Sequence, residues 1–148
     1  MTKLLLMNGP NLNLLGQREP DIYGRTTLPE IEENCRRHCA ELGVELDCYQ
    51  SNHEGDLIDT IQATQGVYDG VVYNPGAHTH YSYAIHDAIT SVTTPVIEIH
   101  ISDISKRESF RAHSVLVDAC IGQVKGEGPA GYIHAIDLML EHLGVKEN

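Results

Sequence analysis

The sequence predicts an α/β fold, a flavodoxin-like doubly wound sheet of five parallel strands with helices on both faces. Segments typical of strands and segments typical of helices alternate along the whole chain. The strand-like segments are short and rich in Val, Ile and Leu, as parallel strands covered on both faces are. The length of 148 residues suits one domain, so we expect residues 1–148 to form a single catalytic domain.

The first half of the chain predicts two strands and two helices. Residues 3–8 form an apolar run that ends at a Gly-Pro pair, which favours a buried strand. A polar loop rich in Asn, Gly and Pro continues to about residue 27. Connections in such folds usually have roughly 2–6 residues, and longer loops tend to act as lids. Residues 28–42 have helical spacing and stop at a glycine, residues 44–50 alternate like a strand, and residues 56–65 are helical up to another glycine.

The second half predicts three strands and two helices. Residues 70–74 form an apolar strand that Pro-Gly ends, and helical spacing follows over residues 80–91. Residues 95–101 are almost continuously apolar and predict a fourth strand, and residues 118–124 predict a fifth. A last helix is predicted over residues 131–143, because a glycine follows its final apolar position.

Charge and composition narrow the class of partner. Ten basic and 21 acidic residues give a net charge of -11, which disfavours nucleic acid and anionic membranes. No apolar run is long enough to span a bilayer and no signal region precedes the first strand, so we expect a cytoplasmic protein. The four cysteines have no disulfide-framework spacing, and we expect reduced thiols. A small anionic ligand would need a local concentration of bases, and five of the ten lie in two short segments: Arg18, Arg25, Lys106, Arg107 and Arg111.

Polar side chains occupy the carboxyl ends of the predicted strands, where parallel α/β sheets bind ligands. Asn8 ends the first strand, the segment QSNH at residues 50–53 ends the second, Asn74 ends the third, and Glu98 and His100 lie in the fourth. Turn chemistry explains the neighbouring glycines and prolines, but it does not explain a glutamate and a histidine in an apolar strand. Residues two apart on a strand share a face, and burying an unpaired carboxylate is costly. Glu98 and His100 therefore predict a polar site.

Three other segments have more than one interpretation. The histidines within residues 78–86 suggest a metal, but their spacing matches no zinc motif, and histidines at helix starts often only form hydrogen bonds. Residues 18–24 place an Arg and a Tyr in the long loop, where a solvated loop is an equally good interpretation. Residues 106–111 are basic and are also compatible with a solvent-facing helical turn. The P-loop and Rossmann glycine motifs are absent from the sequence.

Six motifs occur in order and at compatible spacing. In these motifs the chain resembles the type II 3-dehydroquinate dehydratases of the shikimate and quinate pathways, and the resemblance covers nearly its whole length. The motifs are NGPNLNLLG at residues 8–16, REPDIYG at 18–24, QSNHEG at 50–55, NPGAHTH at 74–80, EIHIS at 98–102 and FRAHS at 110–114.

The resemblance implies a lyase that converts 3-dehydroquinate to 3-dehydroshikimate. By position, Tyr23 would remove a proton from C2 of the substrate, and Arg18 would lower the pKa of that tyrosine. Asn11 would help to stabilise the enolate through an ordered water. His100, oriented by Glu98, would protonate the departing C1 hydroxyl.

The resemblance also implies how substrate is held and how the chain assembles. The hydroxyls and carboxylate of the substrate would be bound by Asn74, His80, Ser102 with the Ile101 backbone, and Arg111. Asp87 would reach the site of a neighbouring subunit, since family members form trimers that pack into dodecamers. The family uses neither a metal nor an organic cofactor, and we expect no Schiff base with any lysine.

Four residues depart from the family pattern, namely His78, Tyr81, His86 and Asp103. None of them replaces a catalytic group, and they bear on affinity and on the subunit contact around Asp87.

Two other function classes remain open. One is a ligand-binding or signalling module that uses the same crevice without turnover, and the other is metal-dependent hydrolysis by the histidine segment.

Overall fold

The computed structural model describes residues 1–17 and 19–145, with residues 22 and 23 described by their backbone only. Its strands are β1 (Lys3–Asn8), β2 (Glu45–Gln50), β3 (Gly70–Asn74), β4 (Val96–His100) and β5 (Gly122–Lys125). They form one sheet in the order β2-β1-β3-β4-β5, and every neighbouring pair is parallel. This is the flavodoxin-like order, so the predicted fold class is confirmed.

The helices are α1 (Pro20–Tyr23), α2 (Leu28–Glu41), α3 (Glu54–Ala63), α4 (Tyr83–Thr90) and α5 (Ala130–Leu143). Helices α2 and α5 pack on one face of the sheet, and α3 and α4 pack on the other. Two layers of helix therefore enclose the strands, as a doubly wound fold requires.

Side-chain alternation divides the core between the two faces. In β1, Leu4 and Leu6 join the cluster under α2 and α5, whereas Leu5 and Met7 join the cluster under α3 and α4. All four are buried, because β1 lies in the middle of the sheet. Burying one such side chain completely contributes about 1.5–3 kcal/mol, so both faces stabilise the sheet.

Local side-chain chemistry sets the helix boundaries. The Thr27 hydroxyl accepts a hydrogen bond from the Glu30 backbone N–H at 3.3 Å and begins α2. The Ser82 hydroxyl accepts from the Ile85 N–H at 3.1 Å and begins α4. Each cap of this kind contributes about 1 kcal/mol. Helix α5 ends at Gly144, whose φ of 74° lies in the left-handed region that glycine tolerates.

The predicted strand over residues 118–124 is wrong in its first half. Residues Val117–Ala119 form a turn of 3-10 helix, and β5 begins only at Gly122. Aspartate favours turns, and the carboxylate of Asp118 lies 3.2 Å from the His86 Nε2, which is outside the sheet.

Two further expectations need correction. The predicted helix over residues 80–91 starts later, at Tyr83, because the 3-10 helix Gly76–His80 and the Ser82 cap precede it. The long loop after β1 is not without structure, since it contains the 3-10 helix Leu12–Leu14 and α1.

The connections that leave β1 and β3 approach each other closely. The Gly9 N–H donates to the Asn74 carbonyl at 2.8 Å. A Cβ at Gly9 would lie 2.5 Å from the Pro75 carbonyl oxygen, so only glycine fits there. The order in which strands are added to the sheet reverses at this point, because β2 lies on one side of β1 while β3 and β4 extend the sheet on the other. Ligands bind at such switch points.

Among the described residues, no helix combines the length and apolar character needed to cross a bilayer.

Candidate active site

A narrow cleft, partly open to solvent, lies at the carboxyl ends of β1, β3 and β4. Its walls include seven residues that the sequence predicted for the site: Asn11, Asn74, His80, His100, Ile101, Ser102 and Arg111. Six further residues line it without having been predicted: Pro10, Leu12, Gly76, Ala77, Ile104 and Arg107. The structure therefore brings these seven predicted residues together around one cleft, whereas residues 50–53 after β2 do not line it.

Glu98 and His100 form a buried pair on one face of β4. The His100 Nε2 lies 2.5 Å from the Glu98 Oε2, and Glu98 is 0% exposed. Burial alone would raise the pKa of Glu98, but hydrogen bonds from His100, Thr79 and Ser114 and the charge of His100 outweigh it, so that pKa lies below its usual range. His100 lines the cleft, whereas Glu98 lies behind it.

The pair fixes the orientation of the imidazole. With Nε2 directed at Glu98, the ring nitrogen left for chemistry is Nδ1, and no hydrogen bond within the described part of the chain uses it. A histidine held in this way by a carboxylate can exchange a proton with a ligand on its other side.

Basic groups also form part of the cleft wall. Arg107 and Arg111 both line the cleft, and the Arg111 guanidinium also lies over the Phe110 ring at 4.9 Å. The His80 Nδ1 is 2.8 Å from the His113 carbonyl oxygen. Burial lowers the pKa of His80, and the neighbouring cations lower it further, which favours a neutral imidazole there. In a chain of net charge -11, this wall is suited to an anionic ligand.

Asn74 is fixed from behind by a buried tyrosine. The Asn74 Nδ2 donates to the Tyr132 hydroxyl at 2.8 Å, and that hydroxyl donates to the Asn8 Oδ1 at 2.6 Å. The Asn74 Oδ1 accepts from the Gly76 N–H at 3.1 Å. The three side chains Asn8, Asn74 and Tyr132 are buried, so the amide is presented to the cleft in one orientation.

Asn11 has a left-handed backbone, with φ of 70°. Its N–H donates to the Asn52 Oδ1 at 3.0 Å. The Gln50 Nε2 donates to that same oxygen at 3.0 Å and to the Gly9 carbonyl at 3.1 Å. The end of β2 therefore stabilises a conformation that non-glycine residues adopt rarely.

Of three other predicted site residues, the structure places one away from the cleft and does not describe the side chains of two. Asp87 lies on α4, its side chain is 81% exposed, and it does not line the cleft. Tyr23 belongs to α1 by its backbone, but its side chain and the whole of Arg18 lie outside the residues that the structure describes.

The histidine segment is dispersed. His78 is buried, which lowers its pKa, and it packs edge-on against Tyr81. His86 contacts Asp87 at 3.1 Å and Asp118 at 3.2 Å, and these hydrogen bonds raise its pKa. Within residues 1–17 and 19–145, no three His, Cys, Asp or Glu side chains are grouped so that they could hold a metal ion.

Sequence reasoning missed several residues that support the site. Arg107 was noted only as part of a basic segment, and its position after β4 was the available signal. Thr79 and Ser114 lie inside motifs that the sequence analysis quoted, but a hydroxyl gives no sign of its partner until the fold is known. Tyr132 carried no signal, because a tyrosine in an apolar helix is most often a core residue.

Comparisons with known proteins agree with the geometry. A family model described as dehydroquinase class II matches residues 2–140. The chain is 56% identical over 144 residues to a protein of Bacillus cytotoxicus named 3-dehydroquinate dehydratase, covering 97% of this chain and 99% of that protein.

Solved structures agree as well. The crystal structure of type II dehydroquinase from Butyrivibrio crossotus is 49% identical with a TM-score of 0.92, and the match covers 93% of this chain and 97% of that one. The type II dehydroquinase from Propionibacterium acnes is 38% identical with a TM-score of 0.89, covering 94% and 97%.

Proposed function

The chain belongs to the class II dehydroquinase family and is therefore a dehydroquinate dehydratase; we propose that it works through an enolate, with Tyr23 as base and His100 as acid. In this reaction the C2 proton of 3-dehydroquinate passes to the base. The C1 hydroxyl then leaves as water with a proton from the acid, and 3-dehydroshikimate remains. The observation that most supports the proposal is the buried Glu98–His100 pair at the wall of the cleft.

The acid half of the mechanism rests on that pair. Glu98 is ionised, because the hydrogen bonds that it accepts hold its pKa below the usual range. The Glu98 carboxylate lies 2.5 Å from Nε2, so the proton that the ring can give to a ligand is the one on Nδ1. His100 Nδ1 would give its proton to the departing hydroxyl, and Glu98 would stabilise the ring before and after transfer.

The base half rests on the family resemblance at Arg18 and Tyr23. A tyrosine ionises near pH 10, so acting as a base near neutrality needs a pKa depression of about three units, or about 4 kcal/mol. One cation at roughly 4 Å supplies about that much at an effective dielectric near 20. Arg18 would be that cation. Asn11, fixed through Asn52, would help to stabilise the negative charge that develops on the enolate oxygen.

The remaining cleft residues would hold the substrate. Arg111 would bind the carboxylate together with Ser102 and the Ile101 backbone, all of which line the cleft. Asn74 and His80 would bind hydroxyls, because both are fixed by partners behind them. The chemistry in this proposal uses side chains alone and calls for no cofactor or metal.

Asp87 would act in a neighbouring subunit, within a trimer that packs into a dodecamer. Its place on α4 away from its own cleft, with an 81% exposed side chain, is compatible with that role. Light scattering tests the assembly, and a monomer with full turnover would rule out a part for Asp87 across an interface.

The test of the function is an ultraviolet assay with purified protein and 3-dehydroquinate. The product is a conjugated enone, so absorbance rises as water is lost. A folded protein that binds the substrate without any absorbance change would instead support a binding module. Activity that disappears on chelation would support the metal-dependent alternative.

A borohydride experiment tests the enolate route against an imine route. None of the described lysines lines the cleft, and Lys146 lies outside the described residues. Borohydride added with substrate should leave the mass of the protein unchanged, whereas a covalent adduct would overturn the mechanism.

A further inference from the structure

The Glu98 carboxylate accepts hydrogen bonds from three side chains. Besides His100, the Thr79 hydroxyl lies 2.5 Å from Oε2, and the Ser114 hydroxyl lies 2.7 Å from Oε2 and 2.9 Å from Oε1. Glu98 and Thr79 are 0% exposed, so the carboxylate lies away from the protein surface. A buried carboxylate is stable only when its lone pairs are satisfied in this way.

Both hydroxyls are held by the backbone around them. Thr79 lies in the 3-10 helix Gly76–His80, and its carbonyl accepts from the Val115 N–H at 2.7 Å. The Ser114 oxygen accepts from the Leu116 N–H at 3.1 Å, which directs the Ser114 proton away from that side and toward Glu98. The loops after β3 and β4 therefore meet at the carboxylate.

We propose that Thr79 and Ser114 are positioning residues of the active site: their hydroxyls hold the Glu98 carboxylate in the orientation that contacts His100. They act through Glu98 and do not line the cleft. The inference deepens the proposed function, because it rests on the role that the proposal gives to His100.

The other titratable groups near the carboxylate cannot take over this task. Tyr73 on β3 and Cys120 before β5 are close enough to interact with Glu98. Burial raises the pKa of both far above neutrality, so both are neutral near pH 7 and neither counters the charge of Glu98. His80, which interacts electrostatically with His100, is also favoured in its neutral form because burial lowers its pKa. Charge balance at Glu98 thus depends on His100 and the two hydroxyls.

The inference predicts a shift in titration. Each hydroxyl stabilises the ionised form of Glu98 by donating a hydrogen bond to it. Removing one hydroxyl should therefore raise the pKa of Glu98 by about one unit. Glu98 stays ionised near neutral pH, but a carboxylate with fewer hydrogen bonds orients His100 less firmly, so turnover should fall by roughly tenfold in each single variant while KM stays nearly constant.

The experiment compares Thr79→Val, Ser114→Ala and their double variant with two references. Thr79→Ser keeps the hydroxyl and should restore the wild-type titration. Thr64→Val removes another buried hydroxyl, which bonds the Ile61 carbonyl and Thr94 away from the cleft. The measurements are NMR titration of the His100 imidazole and the pH dependence of kcat. Ser114→Ala alone still tests the inference if Thr79→Val does not fold, because Ser114 is only half-buried.

Each outcome has one meaning. The His100 signals should report the ionisation of Glu98 as a titration step. If that step moves up by about one pH unit in Thr79→Val and Ser114→Ala, and not in Thr64→Val, the inference is supported. Titration that stays at the wild-type position in both variants overturns it, as does a Thr79→Ser variant that behaves like Thr79→Val. A wild-type protein that does not dehydrate the substrate overturns the proposed function instead, and the NMR titration then still decides this inference.

Discussion

Removal of the Tyr132 hydroxyl should weaken both the fold and the site. The hydroxyl joins two buried amides, since it donates to Asn8 at 2.6 Å and accepts from Asn74 at 2.8 Å. Tyr132→Phe keeps the ring in the core and leaves both amides without this partner. An unsatisfied buried polar group costs about 1–3 kcal/mol, so the two together should lower the free energy of unfolding by about 3 kcal/mol. The Asn8 Nδ2 already has no partner among the described residues, so an amide flip offers no replacement.

Urea unfolding followed by circular dichroism measures this loss, with the slope on denaturant expected to stay constant. Tyr68→Phe is the matched control, because it also removes a tyrosine hydroxyl with a 2.6 Å hydrogen bond, here to the half-exposed Asp47. The control should cost at most about 1 kcal/mol, since water replaces the lost partner.

In the ultraviolet assay, Tyr132→Phe should raise KM more than it lowers kcat, because Asn74 would no longer be held in one orientation. The reasoning is refuted if Tyr132→Phe and Tyr68→Phe lose equal stability, or if KM is unchanged in Tyr132→Phe.

Three other variants test different parts of the molecule. Tyr23→Phe should still bind substrate but lose turnover by several orders of magnitude; a retained activity above about a tenth, which is a loss below 1.4 kcal/mol, would rule out Tyr23 as the base. Glu98→Gln should lower kcat by about a hundredfold or more, because the imidazole of His100 loses its carboxylate partner. The control Glu127→Gln alters a solvent-accessible Glu–His pair at 2.9 Å and should leave kcat unchanged. Similar losses of kcat in both variants would contradict the assignment of His100 as the acid. Burial raises the pKa of the Cys39 thiol to about 11, so the unfolded thiol ionises first, and Cys39 alone should contribute a fall in the free energy of unfolding of about 1.4 kcal/mol per pH unit between about pH 9 and 11, in addition to the fall from the other buried thiols. Cys39→Ala should flatten that fall in urea titrations, and an unaltered slope would show that Cys39 is not its source.

The fold was predictable because the information for it is local. The apolar run at Leu4–Met7 and the Gly-Pro pair after it define β1, and the glycine after residue 143 ends α5 where the pattern predicts. The error at the fifth strand has the opposite origin. Asp118 belongs to a turn because of a partner on α4, and such a partner is not visible in a window of neighbouring residues.

In the site, too, some residues can be recognised from the local sequence and others only from tertiary contacts. Glu98 and His100 were predictable because a charged pair in an apolar strand is unusual at the level of the sequence itself. The hydroxyl of Thr79 and the hydroxyl of Tyr132 were not, because their importance depends on which atoms the folded chain brings within 3 Å of them. A role that arises from tertiary placement has no periodicity or spacing to indicate it.

The hydrogen bond between Tyr132 and Asn8 joins residues 124 positions apart, and this has a consequence for biosynthesis. On a ribosome, β1 to β4 emerge before α5, so the strand ends that form the cleft exist before the helix that fixes Asn74. Closing so long a loop is entropically slow, and parallel pairing adds further non-local contacts. Nascent chains should therefore pass through a stage with a partly formed sheet and a loose, inactive cleft, and catalytic competence should arrive only when the last helix docks.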